Sequence, residues 1–391
     1  MKIISVVGAR PNFMKIAPFI RAIRDHNKLH AAKGNKANRP VNHILVHTGQ
    51  HYDDRMSRAF FEELGIPDAD INLGVGSGTH AEQVGQTMIE FEKVLHAEKP
   101  DWVVVVGDVN ATLACSVTAK KEHVKCCHIE AGLRSGDMTM PEEINRLVTD
   151  RLSDLLLTPD EMSGENLRKE GVPEERIRFV GNIMIDTLEM NRSKAEKLDL
   201  HEIFARNSIN HTYQKFSHSD IPPVASMTLH RPSNVDHKEV LVPLTQFLLN
   251  EVCKELPLVW TLHPRAKKML EQFGLWEDVF NNNNLVLLEP ISYLEMLKLN
   301  IQSKIMLTDS GGLQEECTIL GTPCLTMRWN TERPITLREH GGASILVGND
   351  IERIRKEFRD TLSKPRTPMR PEKWDGHTAE RCLEEIMKAG E

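Results

Sequence analysis

The sequence predicts an α/β protein built as two doubly wound domains with a cleft between them. Three observations carry this reading. Short β-branched runs alternate with amphipathic helical stretches over nearly the whole chain, the second half repeats the scheme of the first, and 391 residues divide into two domains of ordinary size. Near-continuous apolar strands joined through helices specify a parallel sheet covered on both faces.

Taken in order, the strands of the first half fall at 3–7, 43–47, Trp102–Val106, Lys125–Ile129 and Leu155–Thr158, with a weaker one at 177–180. Helical patterns lie between them, for example at 81–96 and 111–121. The polar insert at 31–40 reads as a surface excursion before the second strand. In the second half, strands fall at 224–229, 258–262, Leu285–Leu288, 304–308 and 323–327, each followed by a helical segment. The stretch 206–223, rich in His, Asn, Ser and Gln and ending in Pro-Pro, reads as a loop or linker between the halves.

Composition excludes several functions. A net charge of −7 argues against a phosphate-backbone binder, so no nucleic-acid partner is expected, although a pocket for a few phosphates is compatible with it. Aromatics at 5% are too few for stacking along a single strand. The seven Cys are odd in number and contain no C-x-x-C pair, which fits reduced thiols in the cytoplasm better than disulfides or zinc. MKIISVVGARPN lacks a signal peptide's long apolar segment and cleavage site, and runs such as WVVVV are far below a membrane span. A soluble, cytoplasmic protein with no membrane contact is the expectation.

Ligands of open α/β sheets bind at the carboxyl ends of strands, so polar residues there carry the search. The first strand ends in Gly8-Ala9-Arg10-Pro11-Asn12, with Lys15 one turn into a helix. This is not G-x-G-x-x-G; Arg10 and Lys15 either flank an anion site at a helix start or are solvated cations at a plain turn. Gly74-Val75-Gly76-Ser77-Gly78 reads as a flexible turn. His47 and His51 bracket a strand end rather than share a helix face, so no metal site is expected.

Asp108 and Glu130 each follow a strand directly, and Glu142 opens the next helix in PEEINR. One of Glu142 and Glu143 is accounted for as a partner of the helix dipole. Three acids at one sheet edge are better read as an acid–base cluster, in which crowded carboxylates raise each other's pKa. In the second half, 307–316 (LTDSGGLQEE) is a strand, a small-residue turn and a helix start. Ser310, Gly311 and Gly312 suit a phosphate, and Glu316 lies where a carboxylate could accept from ribose hydroxyls; a capped helix with first-turn acids is the alternative. His230 and His263 each end a strand, and with Arg10 they suggest a site that binds a diphosphate and protonates or stabilises a leaving group.

Together these residues resemble the non-hydrolysing UDP-N-acetylglucosamine 2-epimerase family. The likeness spans essentially the whole chain and rests on 8–18 (GARPNFMKIAP), 47–51 (HTGQH), Gly107-Asp108, 128–134 (HIEAGLR), 141–146 (PEEINR), Gly181-Asn182 with Asp186, His230-Arg231, 309–316 (DSGGLQEE) and 331–334 (TERP). It implies two Rossmann-like domains of glycosyltransferase-B type with the active site in the interdomain cleft. It also implies an N-terminal acid–base domain at 1–182 plus 373–391, because the final helix near 373–388 returns to it, and a UDP-binding domain at 183–372. The implied roles are acid–base chemistry for Asp108, Glu130 and Glu142, and action of His230 near the departing nucleotide. Arg10 and Lys15 would shape the mouth of the site, Ser310, Gly311, Gly312 and Glu316 would hold UDP, Tyr293 would lie near the uracil, and Arg333 would sit close to the nucleotide. No cofactor is implied, and a homodimer serving polysaccharide biosynthesis is.

The implied reaction is elimination of UDP across C1–C2 to a 2-acetamidoglucal, then re-addition with protonation on the opposite face, which turns UDP-N-acetylglucosamine into UDP-N-acetylmannosamine. The C2 hydrogen has no adjacent carbonyl, so a base, an acid and a tightly held diphosphate are all required. Many bacterial members have Glu at Asn12 and Arg-Arg-Glu where this chain has Arg231-Pro232-Ser233. Gln50 and His263 match the set that binds a second UDP-GlcNAc as activator in some members, whereas neighbouring positions depart from it. Segments 47–57 and 73–83 also resemble 2-epimerases acting on UDP-2,3-diacetamido-2,3-dideoxyglucuronic acid. Other readings are a hydrolysing 2-epimerase releasing UDP and ManNAc, a glycosyltransferase on the same fold, and a catalytically silent sugar-nucleotide sensor. Retention of the acids and His230 argues against the last two.

Overall fold

The computed structural model describes residues 1–33, 40–49, 64–216 and 221–390, the side chains of residues 10, 11, 32 and 33 excepted. The chain divides into two compact units, Met1–Met190 with Pro371–Glu391 and Asn191–Arg370. The boundary falls inside one helix, Ile183–Glu196.

In the first unit, strands β1 (Lys2–Val7), β2 (Asn42–His47), β3 (Ile71–Asn72), β4 (Trp102–Val106), β5 (Lys125–Ile129), β6 (Leu155–Thr158) and β7 (Ile177–Phe179) form one parallel sheet in the order β3-β2-β1-β4-β5-β6-β7. Its strands are apolar on both faces because helices cover both. On one face Ile4, Val6, Val103 and Val105 pack against Phe91, Val94 and Leu95 of the helix His80–Glu98. That helix starts at a capping box formed by Thr79 and Glu82. The final helix, Thr378–Ala389, packs on the helix Arg10–Lys33. Asp186 receives its free N-terminal amides, accepting from Thr378 at 3.1 Å and Ala379 at 2.7 Å. Burial nevertheless pushes the Asp186 carboxyl up to about 6, against those backbone bonds.

The second unit repeats the winding with β8 (Ala225–Thr228), β9 (Leu258–Thr261), β10 (Leu285–Leu288), β11 (Ile305–Thr308), β12 (Cys324–Thr326) and β13 (Ser344–Leu346), ordered β10-β9-β8-β11-β12-β13 and parallel throughout. Met227, Trp260, Leu287 and Leu307 line one face. Val259, Val286 and Leu288 line the other, with Phe204 packed on them. The short edge strands β3 and β13 are additions to the sequence reading.

The described part of the stretch 206–223 bears out the loop rather than the linker reading. It lies within the second unit, along the edge strand β10: Ile209 donates to the Leu287 carbonyl at 2.8 Å, and the Asn210 amide to Leu285 at 2.8 Å. Its polar residues satisfy an open sheet edge, which accounts for a composition that resembles a linker. Of the insert at 31–40, residues 34–39 lie outside the described residues.

In each sheet the strand order reverses once, between β1 and β4 and between β8 and β11. Crevices open at such switch points beyond the strands' carboxyl ends.

Candidate active site

At the switch point of the first unit, Asn12 ties the two diverging strands together. Its Oδ1 accepts from the amides of Gly8 and Ala9, at 3.2 and 3.1 Å, and its Nδ2 donates to the Val106 carbonyl at 2.8 Å. Lys15, one turn later and buried, forms an ion pair with Glu130, which is buried directly after β5. Between them lies Gly107 at φ +69°, where a Cβ would come within 2.9 Å of the Lys15 ammonium and 3.3 Å of Glu130 Oε2. Only glycine lets the chain turn there and leave that pair in place.

Asp108 follows, and its Oδ2 meets Arg146 Nη1 at 2.5 Å. Arg146 also holds Glu143 through Nε at 3.0 Å and Nη2 at 2.6 Å. Glu143 closes the loop before its helix by accepting from Ser135 and Gly136. Burial opposes its ionisation, but these amides and Arg146 lower its pKa below the usual value. Glu143 is therefore the structural acid of the pair, and Glu142 is exposed at the first turn of the helix Pro141–Leu152. Where the sequence spacing suggested carboxylates crowding one another, two of the three each meet a cation: Asp108 faces Arg146 and Glu130 faces Lys15. Sequence reasoning had given Arg146 no role, although its position four residues after Glu142 on a helix was the available signal. Arg10 opens the helix Arg10–Lys33, but its side chain, like Gln50 and His51, lies outside the described residues.

In the second unit, Asp309 organises the switch point. It is fully buried after β11 and accepts from the backbone amides of His230 (3.0 Å) and Arg231 (2.8 Å) and from the Asn234 amide (3.1 Å). Its other oxygen is 2.6 Å from Nδ1 of His230. Burial raises the Asp309 pKa, but the His230 ring and the two amides outweigh it and bring it below the ordinary value. The carboxylate thus orients His230 through Nδ1, and the side chain is 41% exposed. The pairing was missed in the sequence, although two adjacent strand ends carrying His and Asp were visible there. The His263 ring lies 5.8 Å from that of His230. Its Nδ1 accepts from the Arg265 amide at 3.1 Å, capping the helix Pro264–Gln272. Burial, then the neighbouring His230, lowers its pKa, which favours the neutral ring that such a cap requires.

Beside Asp309 begins the helix Gly311–Leu320, with Ser310 as N-cap. The Ser310 hydroxyl makes no capping bond, and its amide donates to Thr308 Oγ1 at 3.0 Å. A Cβ at Gly312 would meet nothing within 4 Å, so the helix start is open on that side. Gly311 is closely approached instead: a Cβ there would lie 2.8 Å from both Arg333 Nη1 and Glu332 Oε1. Arg333 is buried between Glu315, at 2.7 Å, and Glu332. It walls the cradle with its charge already matched.

Glu316, buried a turn and a half further on, has no hydrogen-bond partner for its Oε2 among the described residues. Burial, helped by Glu315, pushes its carboxyl up to about 7, against the Tyr293 hydroxyl and Asn300 amide beside it. Tyr293 is set there by the capping box of Ser292 and Glu295 that starts its helix. The helix terminus, an unbonded hydroxyl and a buried acid with an open oxygen suit a phosphorylated polyol. No group of three or more His, Cys, Asp or Glu among the described residues is placed to hold a metal ion. No described helix is long and apolar enough to cross a membrane.

Comparison with known proteins agrees with this geometry. A family profile described as UDP-N-acetylglucosamine 2-epimerase matches residues 33–387. The chain is 40% identical to the UDP-N-acetylglucosamine 2-epimerase of Methanocaldococcus jannaschii, covering 95% of each chain. It is 37% identical to the UDP-2,3-diacetamido-2,3-dideoxy-D-glucuronate 2-epimerase of Pseudomonas aeruginosa, covering 93% of each. The crystal structure of the M. jannaschii enzyme in complex with UDP-GlcNAc and UDP superposes with a TM-score of 0.85 at 39% identity, over 99% of this chain and all of that one. With a match of that length and the same two-sheet architecture, the chain belongs to the UDP-N-acetylglucosamine 2-epimerase family.

Proposed function

We propose that this enzyme interconverts UDP-N-acetylglucosamine and UDP-N-acetylmannosamine without releasing the nucleotide. One observation carries the reading: each unit's switch point holds one half of the chemistry, cation-matched carboxylates in the first and an open anion cradle with an oriented histidine in the second.

The reaction needs both halves. A carboxylate of the set Asp108, Glu130 and Glu142 takes the C2 proton. The C–H electron pair becomes the C1–C2 double bond, and the C1–O bond breaks with its pair leaving on UDP. Re-addition of UDP at C1, with a proton delivered to the other face of C2, completes the inversion. Lys15 and Arg146 hold Glu130 and Asp108 in place, which suits groups that must accept a proton and return it. Ser310 and the amides of Gly311 and Gly312 bind the diphosphate, and His230 Nε2 faces the charge that develops as it departs. Glu316 and Tyr293 serve the uridine. Arg333 supports the cradle by packing on Gly311, and His263 steadies the His230 side. A cytoplasmic homodimer completes the reading; the cysteines are all buried free thiols, which suits a reducing compartment, and sedimentation of the purified protein tests the dimer.

Incubation with UDP-GlcNAc in deuterated water, followed by NMR, tests the proposal. UDP-ManNAc carrying deuterium at C2 is expected, with the nucleotide still attached. No exchange at C2 would contradict it for this substrate, and free ManNAc with an equivalent of UDP would identify hydrolysis instead. The same assay with the diacetamido-uronate nucleotide examines the specificity of the P. aeruginosa relative.

A further inference from the structure

We propose that His128 is a positioning residue of the first half-site, a clamp that acts through the Gly107 carbonyl to set Asp108 against Glu130. The inference rests on the assignment of those carboxylates to proton transfer. His128 is fully buried on β5, two residues before Glu130. Its Nε2 lies 2.8 Å from the Gly107 carbonyl oxygen and its Nδ1 2.6 Å from Asp150 Oδ1. A carbonyl only accepts, so Nε2 donates.

Asp150 is held ionised. Burial alone would raise its pKa, but His128 and Arg134 outweigh burial and lower it. Its second oxygen accepts from the Gly132 amide at 3.0 Å and from Arg134 Nη1 at 2.7 Å. Asp150 thus holds the far side of the His128 ring through Nδ1 while Nε2 holds the carbonyl. Arg134 then forks onto Glu170 at 2.7 and 2.8 Å. Hydrogen bonds run unbroken from His128 through Asp150 and Arg134 to Glu170, which is what allows the inner members to be buried.

The clamped peptide is the one that matters for the site. Gly107 separates the Lys15–Glu130 pair from Asp108, and a single added carbon there would touch that pair. Asp108 is fixed from its other side by Arg146 and by Asn145, which donates to the Asp108 carbonyl at 2.8 Å. Release of the Gly107 carbonyl would let the corner rotate and change the distance between the two carboxylates. A misplacement of about 1 Å in reacting geometry costs on the order of 100-fold in rate. An aliphatic side chain would fill the same strand position without a buried charge network, so packing alone does not account for a histidine here.

The test compares His128→Phe, His128→Gln and Asp150→Asn with the wild type. For His128→Phe, kcat and C2 deuterium exchange should fall about 100-fold, while KM and UDP affinity stay within about twofold. Glutamine can return one N–H to Gly107 and should recover about tenfold of the loss. A folded His128→Phe enzyme with unchanged kcat would overturn the proposal, because a purely structural role lowers melting temperature and yield only. Should that variant not fold, Asp150→Asn must show the same split between kcat and KM. Without any substrate, 15N NMR of the wild-type ring should show the proton on Nε2. A bare Nε2 would refute the clamp. A wild type that fails to exchange C2 would sink the proposed function instead, and the ring resonances would still decide the role of His128.

Discussion

The two switch points share a topology and differ in electrostatics. In the first unit the acids face cations, Lys15 on Glu130 and Arg146 on Asp108, and the groups behind them are paired in turn. In the second unit the polar groups at the helix start are left open: the Ser310 hydroxyl caps nothing, Gly312 faces free space, and Glu316 Oε2 is unbonded among the described residues. A paired carboxylate keeps its position while protons pass, whereas an open set of donors and acceptors waits for a ligand to complete it. One winding pattern thus supports two tasks through the residues placed after its strands.

Four substitutions break or sharpen this contrast. The largest effect is expected for Glu130→Gln, which keeps shape but cannot take a proton. C2 exchange should drop by about 10²- to 10⁴-fold with UDP affinity unchanged by calorimetry; loss of both would mean that the first unit also holds the nucleotide. Gly312→Val fills the open side of the cradle. The free protein should melt as the wild type does, while UDP binding weakens by about tenfold or more, since the added carbons stand where the ligand approaches. An unaltered dissociation constant would remove that face from the site.

Ser310→Ala deletes one donor and should weaken UDP by about fivefold, the worth of one hydrogen bond. The smallest effect concerns pH. Glu316 is raised from an ordinary 4.5 to about 7, so the folded chain retains a proton that the unfolded chain releases between those values. Its contribution to stability is fully present below 4.5 and is lost as pH rises through 7. Glu316→Gln should therefore raise the melting temperature of the free protein at pH ~8 and leave it unchanged at pH ~4, while weakening UDP at both. A melting temperature lowered at alkaline pH would show that Glu316 is matched in the folded state, and the contrast would fail.

Much of the architecture was legible in the chain because buried parallel strands are read directly from runs such as Trp102–Val106. The edge strands β3 and β13 escaped, since two or three residues at a sheet margin carry no pattern distinguishable from a loop. The polar stretch after Arg206 stayed open between loop and linker for the reverse reason: its side chains bond the margin of β10, and composition alone cannot separate that from a linker. At the site, the strand-end rule located Asp108, Glu130 and His230 on their edges. It did not pair the acids with cations: Lys15 was read as flanking an anion or as solvated and Arg146 had no role, because both reach the acids from helices far apart in sequence. Spacing alone did not divide the labour between Glu142 and Glu143, which only the family resemblance did: adjacent acids at a helix start differ in which one the loop at Ser135 folds over.

The central claim is that loss of a proton at C2 is coupled to rupture of the C1–O bond to UDP. It is tested most directly with UDP-GlcNAc carrying ¹⁸O in the oxygen that bridges C1 and the β-phosphorus. During turnover a released β-phosphate can rotate before it returns, so the label should spread into the non-bridging positions as C2 acquires solvent deuterium. Epimerisation with the ¹⁸O retained wholly in the bridge would contradict the account.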